Sequence, residues 1–302
     1  MTDEAALVAA FARDERLPPA FADLAARLHR PLAARIAGWA AGRGTPLVVG
    51  ICGPQGSGKS TLTALVAWLL DARRLKTAVL SIDDLYLSRA ERLALAAKVH
   101  PLLATRGVPG THDPALGLAV LDALARRGAT ALPRFDKAQD DRAPDSDWSP
   151  FEGPADVVLL EGWCVGTRPQ PPEALAAPVN ALERDEDPDG AWRGFANAAL
   201  AGPYAALFAR LDRLVLMTAP DFGVVRQWRG EQEARLRQRL EAQGRDPALA
   251  MDEPALDRFV AHYERLTRWI ADDLPPVADV VVRLDADRRP ACLLYTSPSP
   301  RD

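Results

Sequence analysis

The sequence has few features that would tie it to a membrane or to an oxidising compartment. Its 302 residues include only three cysteines, Cys52, Cys164 and Cys292, with no Cys-x-x-Cys pair and no disulfide framework, which favours a reducing cytosol. The acidic start, Met1–Glu4, lacks the basic region of a signal peptide. No apolar run approaches the ~20 residues of a membrane-spanning helix. We therefore expect a cytoplasmic protein that does not act at a membrane.

The charge composition gives no general affinity for polyanions. Lysine and arginine number 37 against 41 aspartate and glutamate residues, which leaves a net charge of −4. This balance gives no basis for nucleic acid as a partner. No internal repeat or low-complexity linker interrupts the chain. The hydrophobic content of 48% suits one large α/β domain.

The most informative segment that is present is Gly53–Ser60, which has the form Gly-x-x-x-x-Gly-Lys-Ser. The apolar run 47–52 precedes it, and apolar residues at helical spacing follow it. A strand, a glycine loop and a helix N-terminus in this order form an anion cradle, because backbone N–H groups and the helix dipole favour phosphate. We expect Lys59 to reach the β- and γ-phosphates of a nucleotide and Ser60 to ligate Mg²⁺. The alternative is a glycine-rich turn without a ligand.

The nucleotide-binding residues that this motif predicts form one continuous stretch. They are Gly53, Pro54, Gln55, Gly56, Ser57, Gly58, Lys59, Ser60 and Thr61.

Apolar runs that alternate with helical patterns predict an α/β fold, with a mainly parallel sheet covered by helices on both faces. The expected strands are 47–52, 77–82, 131–135, 156–163, 213–217 and 278–284. The expected helices, besides those of residues 1–42, are 89–98, 114–127, 180–211 with a turn at 187–190, 222–242 and 254–272.

Acidic residues end two of the predicted strands. Glu161 closes the run Val157–Leu160, and in a parallel sheet this places it at the edge where ligands bind. We expect it to hold the metal or the metal's water, although it could simply cap the strand. Asp83 and Asp84 end the second strand, where one of them could accept the proton of an attacking hydroxyl. The alternative for this pair is a turn.

Six segments between residue 46 and about residue 268 carry a family resemblance. They are Gly53–Ser60, Ser81–Tyr86, Arg106–Asp113, Phe135–Lys137, Leu160–Cys164 and Gln227–Glu233. In sequence and in order they resemble the D-glycerate 3-kinase family of plants and bacteria, which belongs to the P-loop kinases related to uridine kinase and phosphoribulokinase. This chain has Leu85 where the family usually has Phe, and Phe135 where it often has Tyr.

The resemblance implies a P-loop kinase fold and roles for further residues. It makes Asp83 the catalytic base. It also suggests an acceptor site, composed of Asp84, Tyr86, Arg106, His112, Asp113, Asp136 and Lys137. Within it, Arg106 is the expected partner of a carboxylate or phosphate. His112 could instead be structural, and the charged stretch 136–142 could be only a solvated loop.

In this kinase group a lid helix closes over the triphosphate and supplies an arginine, which the resemblance places at Arg229, with Arg226 as the second choice. The alternative is an exposed helix laced with salt bridges. Trp163 and Trp228 could stack on a base, but we expect them to pack in the core.

Three regions follow from these assignments. Residues 1–42 form an N-terminal helical extension and residues 43–290 form the kinase domain. Residues 291–302 resemble the translation of a sequencing adaptor, so that the native C-terminus would be missing, unless they are an ordinary disordered tail.

The sequence therefore predicts an enzyme that uses ATP and Mg²⁺ to phosphorylate a small molecule, which the resemblance identifies as D-glycerate. Two alternatives remain open at this point. One is a kinase of another hydroxylated metabolite, such as a nucleoside or pantothenate. The other is a non-catalytic ATP-binding protein that switches a partner, for which a base at position 83 would have no use.

Overall fold

A computed structural model of the chain describes residues 3–295. Its centre is a six-stranded sheet with the order β10-β9-β8-β1-β7-β2, in which only β10 is antiparallel to its neighbour. The strands of the chain are β1 Leu47–Cys52, β2 Thr77–Ser81, β3 Gly128–Leu132, β4 Phe135–Asp136, β5 Asp141–Arg142, β6 Ser149–Gly153, β7 Val157–Gly162, β8 Arg213–Thr218, β9 Val280–Leu284 and β10 Pro290–Tyr295.

Helices cover both faces of this sheet. They are α1 Glu4–Asp14, α2 Phe21–Leu24, α3 Arg30–Ala40, α4 Lys59–Ala72, α5 Arg89–Lys98, α6 Pro114–Leu124, α7 Ala181–Glu186, α8 Ala191–Ala199, α9 Ala205–Phe208, α10 Phe222–Ala242 and α11 Glu253–Asp273. Two π-helical segments, Ala25–His29 and Leu200–Tyr204, join α2 to α3 and α8 to α9.

The alternation of side chains along β1 explains why the sheet carries two hydrophobic layers. Leu47, Val49 and Ile51 face the layer formed with α1 to α4. Val48 and Cys52 face the opposite layer, formed with α6, α9 and α11. Successive side chains of a strand point to opposite faces, so a strand buried on both sides reads as a continuous apolar run. The predicted fold class, α/β with a mainly parallel sheet, is confirmed.

The N-terminal helices pack on the same face as α4. Phe11, Leu32 and Ile36 are fully or almost fully buried in this layer. Glu4 forms ion pairs with Arg30 and, across to the end of α4, with Arg73. The first 42 residues are therefore docked on the nucleotide-loop helix, while their status as a separate unit stays a prediction.

Two small elements were not expected from the sequence. β3 pairs with β6 in an antiparallel ribbon, and β4 pairs with β5 in a hairpin that encloses residues 137–140. Both lie outside the main sheet. The prediction of one strand at 131–135 was wrong in extent, because the chain here forms β3 and β4 as separate short strands around Pro133.

The last described strand lies almost entirely in the segment 291–302, for which the sequence suggests a foreign origin. Pro290–Tyr295 forms β10, which pairs antiparallel with β9 and is itself the edge strand of the main sheet, in a segment for which the sequence pattern predicts no structure. Residues 296–302 lie outside the described residues, and the foreign origin of the tail stays a prediction. Within residues 3–295, no helix is both long and apolar enough to cross a membrane.

Candidate active site

The loop Gly53–Ser60 connects β1 to α4 at the carboxyl edge of the sheet. Gly56 and Gly58 have φ angles of +77° and +85°, a left-handed conformation that side chains disfavour. A Cβ at position 56 would lie 2.6 Å from the Cβ of Trp228 on α10. Glycine is therefore required there both for the turn and for the close packing of α10 on the loop.

The remaining residues of the loop differ in their surroundings. The hydroxyl of Ser57 is buried without a hydrogen-bond partner among the described residues. Gln55 is half-buried. Pro54 lines a cavity of about 250 Å³ between the loop and α11. Lys59 and Ser60 form the first turn of α4, whose N–H groups face the loop.

Ser60 and Glu161 form the pair expected at a metal site. The hydroxyl of Ser60 donates to Oε1 of Glu161 over 3.1 Å. Oε2 of Glu161 is buried and has no partner within residues 3–295. A buried carboxylate oxygen without a partner is unfavourable unless a cation or water satisfies it. These oxygen ligands fit Mg²⁺, which takes few protein ligands and completes its shell with water and nucleotide phosphates.

Asp83 lies one strand away from this pair, just after β2. Its Oδ2 is 2.7 Å from Nζ of Lys137, which reaches over from the β4–β5 hairpin. Burial alone would raise the pKa of Asp83, but the charges of Lys137 and Lys59 hold it at about 2. Lys59 and Asp83 are thus electrostatically coupled, and Asp83 is ionised at any physiological pH.

The neighbouring Asp84 points into a different environment. Its Oδ2 pairs with Arg134 over 3.0 Å, and its Oδ1 accepts the N–H of Phe135 over 3.1 Å. Burial raises its pKa despite these partners. The structure thus separates the two acids, and Asp84 fixes the start of the hairpin that carries Lys137. The predicted role of Asp84 in the acceptor site stays a prediction, and these partners favour a positioning role for it.

Arg106 begins the glycine-proline loop that faces the hairpin. Its guanidinium pairs with Asp140 and lies over the ring of Phe135, 5.4 Å from the ring centroid. Asp140 also pairs with the fully buried Arg92 over 2.9 Å. Arg106 therefore has a carboxylate partner already, and an acceptor anion would compete with Asp140 for it.

Gly107 lets the same loop pass against α11 and β7. Its φ is +146°, and a Cβ there would collide with the phenol of Tyr263. Its carbonyl accepts the indole N–H of Trp163 over 3.0 Å. Trp163 and Trp228 are 3% and 0% exposed, so both pack in the core, as we expected.

His112 is buried between two tyrosines. It stacks on Tyr86 with ring centroids 4.2 Å apart, and its Nδ1 lies 2.6 Å from the hydroxyl of Tyr204. Burial lowers the pKa of His112 to about 3, although Asp83 acts in the opposite direction. The imidazole is therefore neutral. Its Nε2 is buried and has no partner among the described residues.

Two acids of the predicted acceptor site have structural uses. Asp113 caps α6 by accepting the N–H of Leu116 over 2.9 Å. Asp136 accepts the N–H groups of Ala138 and Gln139, which closes the turn of the hairpin. Both carboxylates serve backbone N–H groups, so this geometry does not favour the acceptor roles that the resemblance suggested for them.

The predicted lid is α10, and its two candidate arginines differ. Arg226 pairs with Glu253 and Asp257 on the outer surface. Arg229 lies over the ring of Phe259, 5.1 Å from its centroid, and pairs with the buried Glu233 over 2.5 Å. Arg229 also lines the same cleft as Arg106 and Lys137. Of the two arginines, Arg229 lines this cleft and Arg226 does not, and the lid role of Arg229 stays a prediction.

This cleft has a volume of about 1380 Å³ and separates α10 from the loops that carry Arg106 and Lys137. Three acids line it, Glu15, Asp140 and Glu233. Seven cations line it, namely Arg16, Arg89, Arg106, Lys137, Arg229, Arg235 and Arg239. The surplus of positive charge is notable in a chain of net charge −4, and it favours anionic ligands.

Sequence reasoning missed several residues that shape the site. Tyr204 contacts His112, and Arg288 donates to the carbonyl of Gly56 over 2.6 Å. The hydroxyl of Tyr263 donates to the carbonyl of Arg106. All three residues come from segments distant in sequence and carry no local motif, so only the tertiary structure reveals them.

Comparison with known proteins gives two kinds of relative, while no family model matches the chain. The chain is 33% identical over 229 residues to the chloroplastic D-glycerate 3-kinase of Arabidopsis thaliana, covering 72% of this chain and 46% of that protein. It is 32% identical over 229 residues to an uncharacterized kinase of Schizosaccharomyces pombe, covering 73% of this chain and 79% of that kinase. This chain therefore spans about half the length of the plant relative.

A solved structure agrees with these sequence relatives. The D-glycerate 3-kinase from Cryptococcus neoformans superimposes with a TM-score of 0.69 at 25% identity, covering 88% of this chain and 99% of that one.

Proposed function

The chain belongs to the D-glycerate 3-kinase family of P-loop kinases, and on this premise we propose that it transfers the γ-phosphate of ATP to D-glycerate, giving 3-phosphoglycerate. The observation that carries the proposal is the position of Asp83. An ionised carboxylate lies beside Lys137 and within the field of the phosphate-loop lysine, Lys59. A protein that only bound ATP as a switch would have no use for this arrangement.

The nucleotide would be held by Gly53–Thr61. The N–H groups of the loop and of the first turn of α4 bind phosphate oxygens, and Lys59 contacts the β- and γ-phosphates. Ser60 and Glu161 would hold Mg²⁺, which would neutralise the negative charge of the phosphates. Arg229 adds positive charge from the lid, once a phosphate competes with Glu233 for it.

Asp83 orients the attacking hydroxyl and accepts its proton. The oxygen of the acceptor forms a bond to the γ-phosphorus as the bond to the ADP oxygen breaks. With a pKa of about 2, Asp83 is a weak base. This suits phosphoryl transfer through a loose transition state, in which positioning contributes more than proton abstraction.

The charge of the cleft supports an anionic acceptor. A small hydroxy acid needs an anchor for its carboxylate. Arg106 and Lys137 both line the cleft, and Lys137 also pairs with Asp83. A guanidinium can bind a carboxylate through two hydrogen bonds. A nucleoside would instead need an aromatic platform, and the segment Arg106–Asp113 contains no Phe, Tyr or Trp.

The test is a panel of acceptors with the purified protein and Mg–ATP. D-Glycerate should give ADP and a product identified by phosphorus NMR as 3-phosphoglycerate. Uridine serves as an uncharged nucleoside acceptor for comparison, and pantothenate serves as a larger hydroxy acid. Turnover with one of these and not with glycerate would keep the kinase class and overturn the substrate. ATP binding without turnover on any acceptor would favour the regulatory alternative.

We further propose a cytoplasmic location and no nucleic-acid partner. The buried thiols of Cys52 and Cys164 are free, in keeping with a reducing compartment. Fractionation of the source cells with an antibody to the chain would test the location.

A further inference from the structure

The hydroxyl of Tyr204 lies at the centre of three hydrogen bonds around the acceptor site. It is 3.0 Å from the backbone nitrogen of Gly110 and 3.2 Å from that of His112. It is also 2.6 Å from Nδ1 of the His112 ring. Tyr204 itself is 0% exposed, so these hydrogen bonds are shielded from bulk solvent.

The chemistry of a phenol decides how these bonds run. A hydroxyl has one hydrogen and two acceptor lone pairs. The N–H groups of Gly110 and His112 can only donate, so they occupy both lone pairs of Tyr204. The one hydrogen of Tyr204 is therefore left for Nδ1 of His112, which must accept it. Because the imidazole is neutral, its own hydrogen is on Nε2.

A break in the helical segment places Tyr204 on the loop. It ends the π-helical segment Leu200–Tyr204, where Gly202 has the non-helical angles φ −109° and ψ −105° and Pro203 follows. Glycine and proline together are a common cause of a helix kink. The kink turns the phenol toward Gly110 and away from a continuous helix face.

In this arrangement the Nε2–H of His112 is a donor without an acceptor. His112 is 3% exposed and Nε2 has no partner among the described residues. The ring is in the electrostatic field of Asp83. A buried donor without a partner is unfavourable, and an oxygen of a bound acceptor would satisfy it.

We propose that Tyr204 is a positioning residue that fixes His112 in the Nε2–H tautomer, so that this N–H donates to the non-reacting hydroxyl of the acceptor beside Asp83. The proposal rests on the proposed function for the identity of the acceptor. The tautomer itself does not depend on it. Tyr204 would thereby set both the geometry of the loop 106–113 and the preference for an acceptor with two adjacent oxygens.

The tautomer is measured by NMR on protein with ¹⁵N-labelled histidine. The chain has four histidines, and His112→Gln identifies the signals of His112 by their loss. In the wild type, Nε2 should carry the proton. Tyr204→Phe removes the only donor to Nδ1 among residues 3–295 and should produce the Nδ1–H form or a mixture. Tyr86→Phe changes the stacked neighbour without touching these hydrogen bonds and should leave the tautomer unchanged.

Kinetics supply the second readout. Tyr204→Phe should raise the KM for D-glycerate by about 2- to 10-fold, the range of one net hydrogen bond, and leave the KM for ATP unchanged. The acceptor 3-hydroxypropionate lacks the second hydroxyl. The ratio of kcat/KM for glycerate to kcat/KM for 3-hydroxypropionate should fall in the variant, because only in the wild type does the Nε2–H of His112 donate to that second hydroxyl.

Two results would overturn the inference. One is an Nδ1–H tautomer in the wild type, once His112→Gln has identified the signals, and this result does not depend on whether Tyr204→Phe folds. The other is a Tyr204→Phe protein that folds, as judged by circular dichroism, yet keeps both the tautomer and the acceptor ratio. If glycerate is not phosphorylated but another acceptor is, the proposed function fails, and the same KM change with that acceptor would still support the role of Tyr204.

Discussion

Lys137→Met tests whether the charge of Lys137 keeps the pKa of Asp83 low. Lys137 lies 2.7 Å from Asp83 and, with Lys59, outweighs the burial that would otherwise raise the pKa of that acid. The hydrogen bond and the charge of Lys137 both disappear in the variant, while burial remains. The pKa of Asp83 should therefore rise from about 2 toward or above its ordinary 3.8.

The size of this rise follows from the distance. An opposite charge in direct contact lowers a carboxyl pKa by ~1–3 units. Losing it should raise the pKa of Asp83 by a similar ~1–3 units, of which each unit corresponds to about 1.4 kcal/mol. The ~61% exposure of Lys137 favours the lower half of this range, since solvent screens an exposed charge.

The assay is the pH dependence of kcat/KM for the acceptor, which reports the ionisation of groups in the free enzyme. Lys137→Arg keeps the charge and serves as the matched control. Groups that titrate in both variants, including those of ATP, cancel in the comparison. The acid limb of Lys137→Met should lie at higher pH than that of Lys137→Arg, whatever the heights of the two profiles. Coincident limbs, or a shift to lower pH, would refute the reasoning about Asp83.

Three further predictions concern the loop, the lid and the buried histidine. Lys59→Ala should abolish turnover while circular dichroism shows an intact fold, because a half-buried lysine in the first turn of a helix adds little to stability; near wild-type activity would contradict the phosphate-loop assignment. Arg229→Ala should lower kcat more than it weakens ATP binding in a fluorescence titration, whereas Arg226→Ala should change neither, since the charge that Arg229 meets grows in the transition state. For His112, the pKa falls from 6.5 to about 3 on folding, so the unfolded chain binds a proton that the folded chain does not. The free energy of unfolding should thus drop as the pH falls from about 6.5 toward 3, more steeply in wild type than in His112→Gln, and equal slopes in urea titrations would contradict the burial argument.

The parts of the site that the sequence could predict are those in which local order implies position. A strand, a glycine loop and a helix leave little choice for Gly53–Ser60. An acid at the end of an apolar run lies at the carboxyl edge of a parallel sheet, which placed Glu161 within 3.1 Å of Ser60. The adjacent acids Asp83 and Asp84 point to different environments. This agrees with the expectation that only one of them could accept the proton of the attacking hydroxyl.

Most of the remaining site residues are positioned by contacts between distant segments. Asp113 is an exception, because it directly precedes Pro114, which is a local sequence signal for a helix N-cap. Asp136 had no such signal, because its turn exists only through the pairing of β4 with β5. Tyr204 lies 92 residues from His112, and nothing in the intervening sequence indicates that they meet.

The strands that were missed fail for a related reason. β3 and β6 form a ribbon outside the main sheet and have only five residues each. In β3 two positions, Thr130 and Leu132, are buried and the others are exposed, whereas in β6 half-buried and exposed positions alternate. Short strands of this kind are stabilised by their partner and not by their own pattern.

Asp83→Asn, with Asp84→Asn as the matched control, tests the central claim that a carboxylate at position 83 performs the chemistry. Asparagine keeps the shape of the side chain and removes the charge and the proton acceptor. With Mg–ATP and D-glycerate, Asp83→Asn should lower kcat by ~10²-fold or more while the dissociation constant of ATP stays close to that of wild type. Asp84→Asn should retain most of the activity, because its amide oxygen can still accept the N–H of Phe135. A large loss of kcat in Asp84→Asn together with near wild-type turnover in Asp83→Asn would contradict the account.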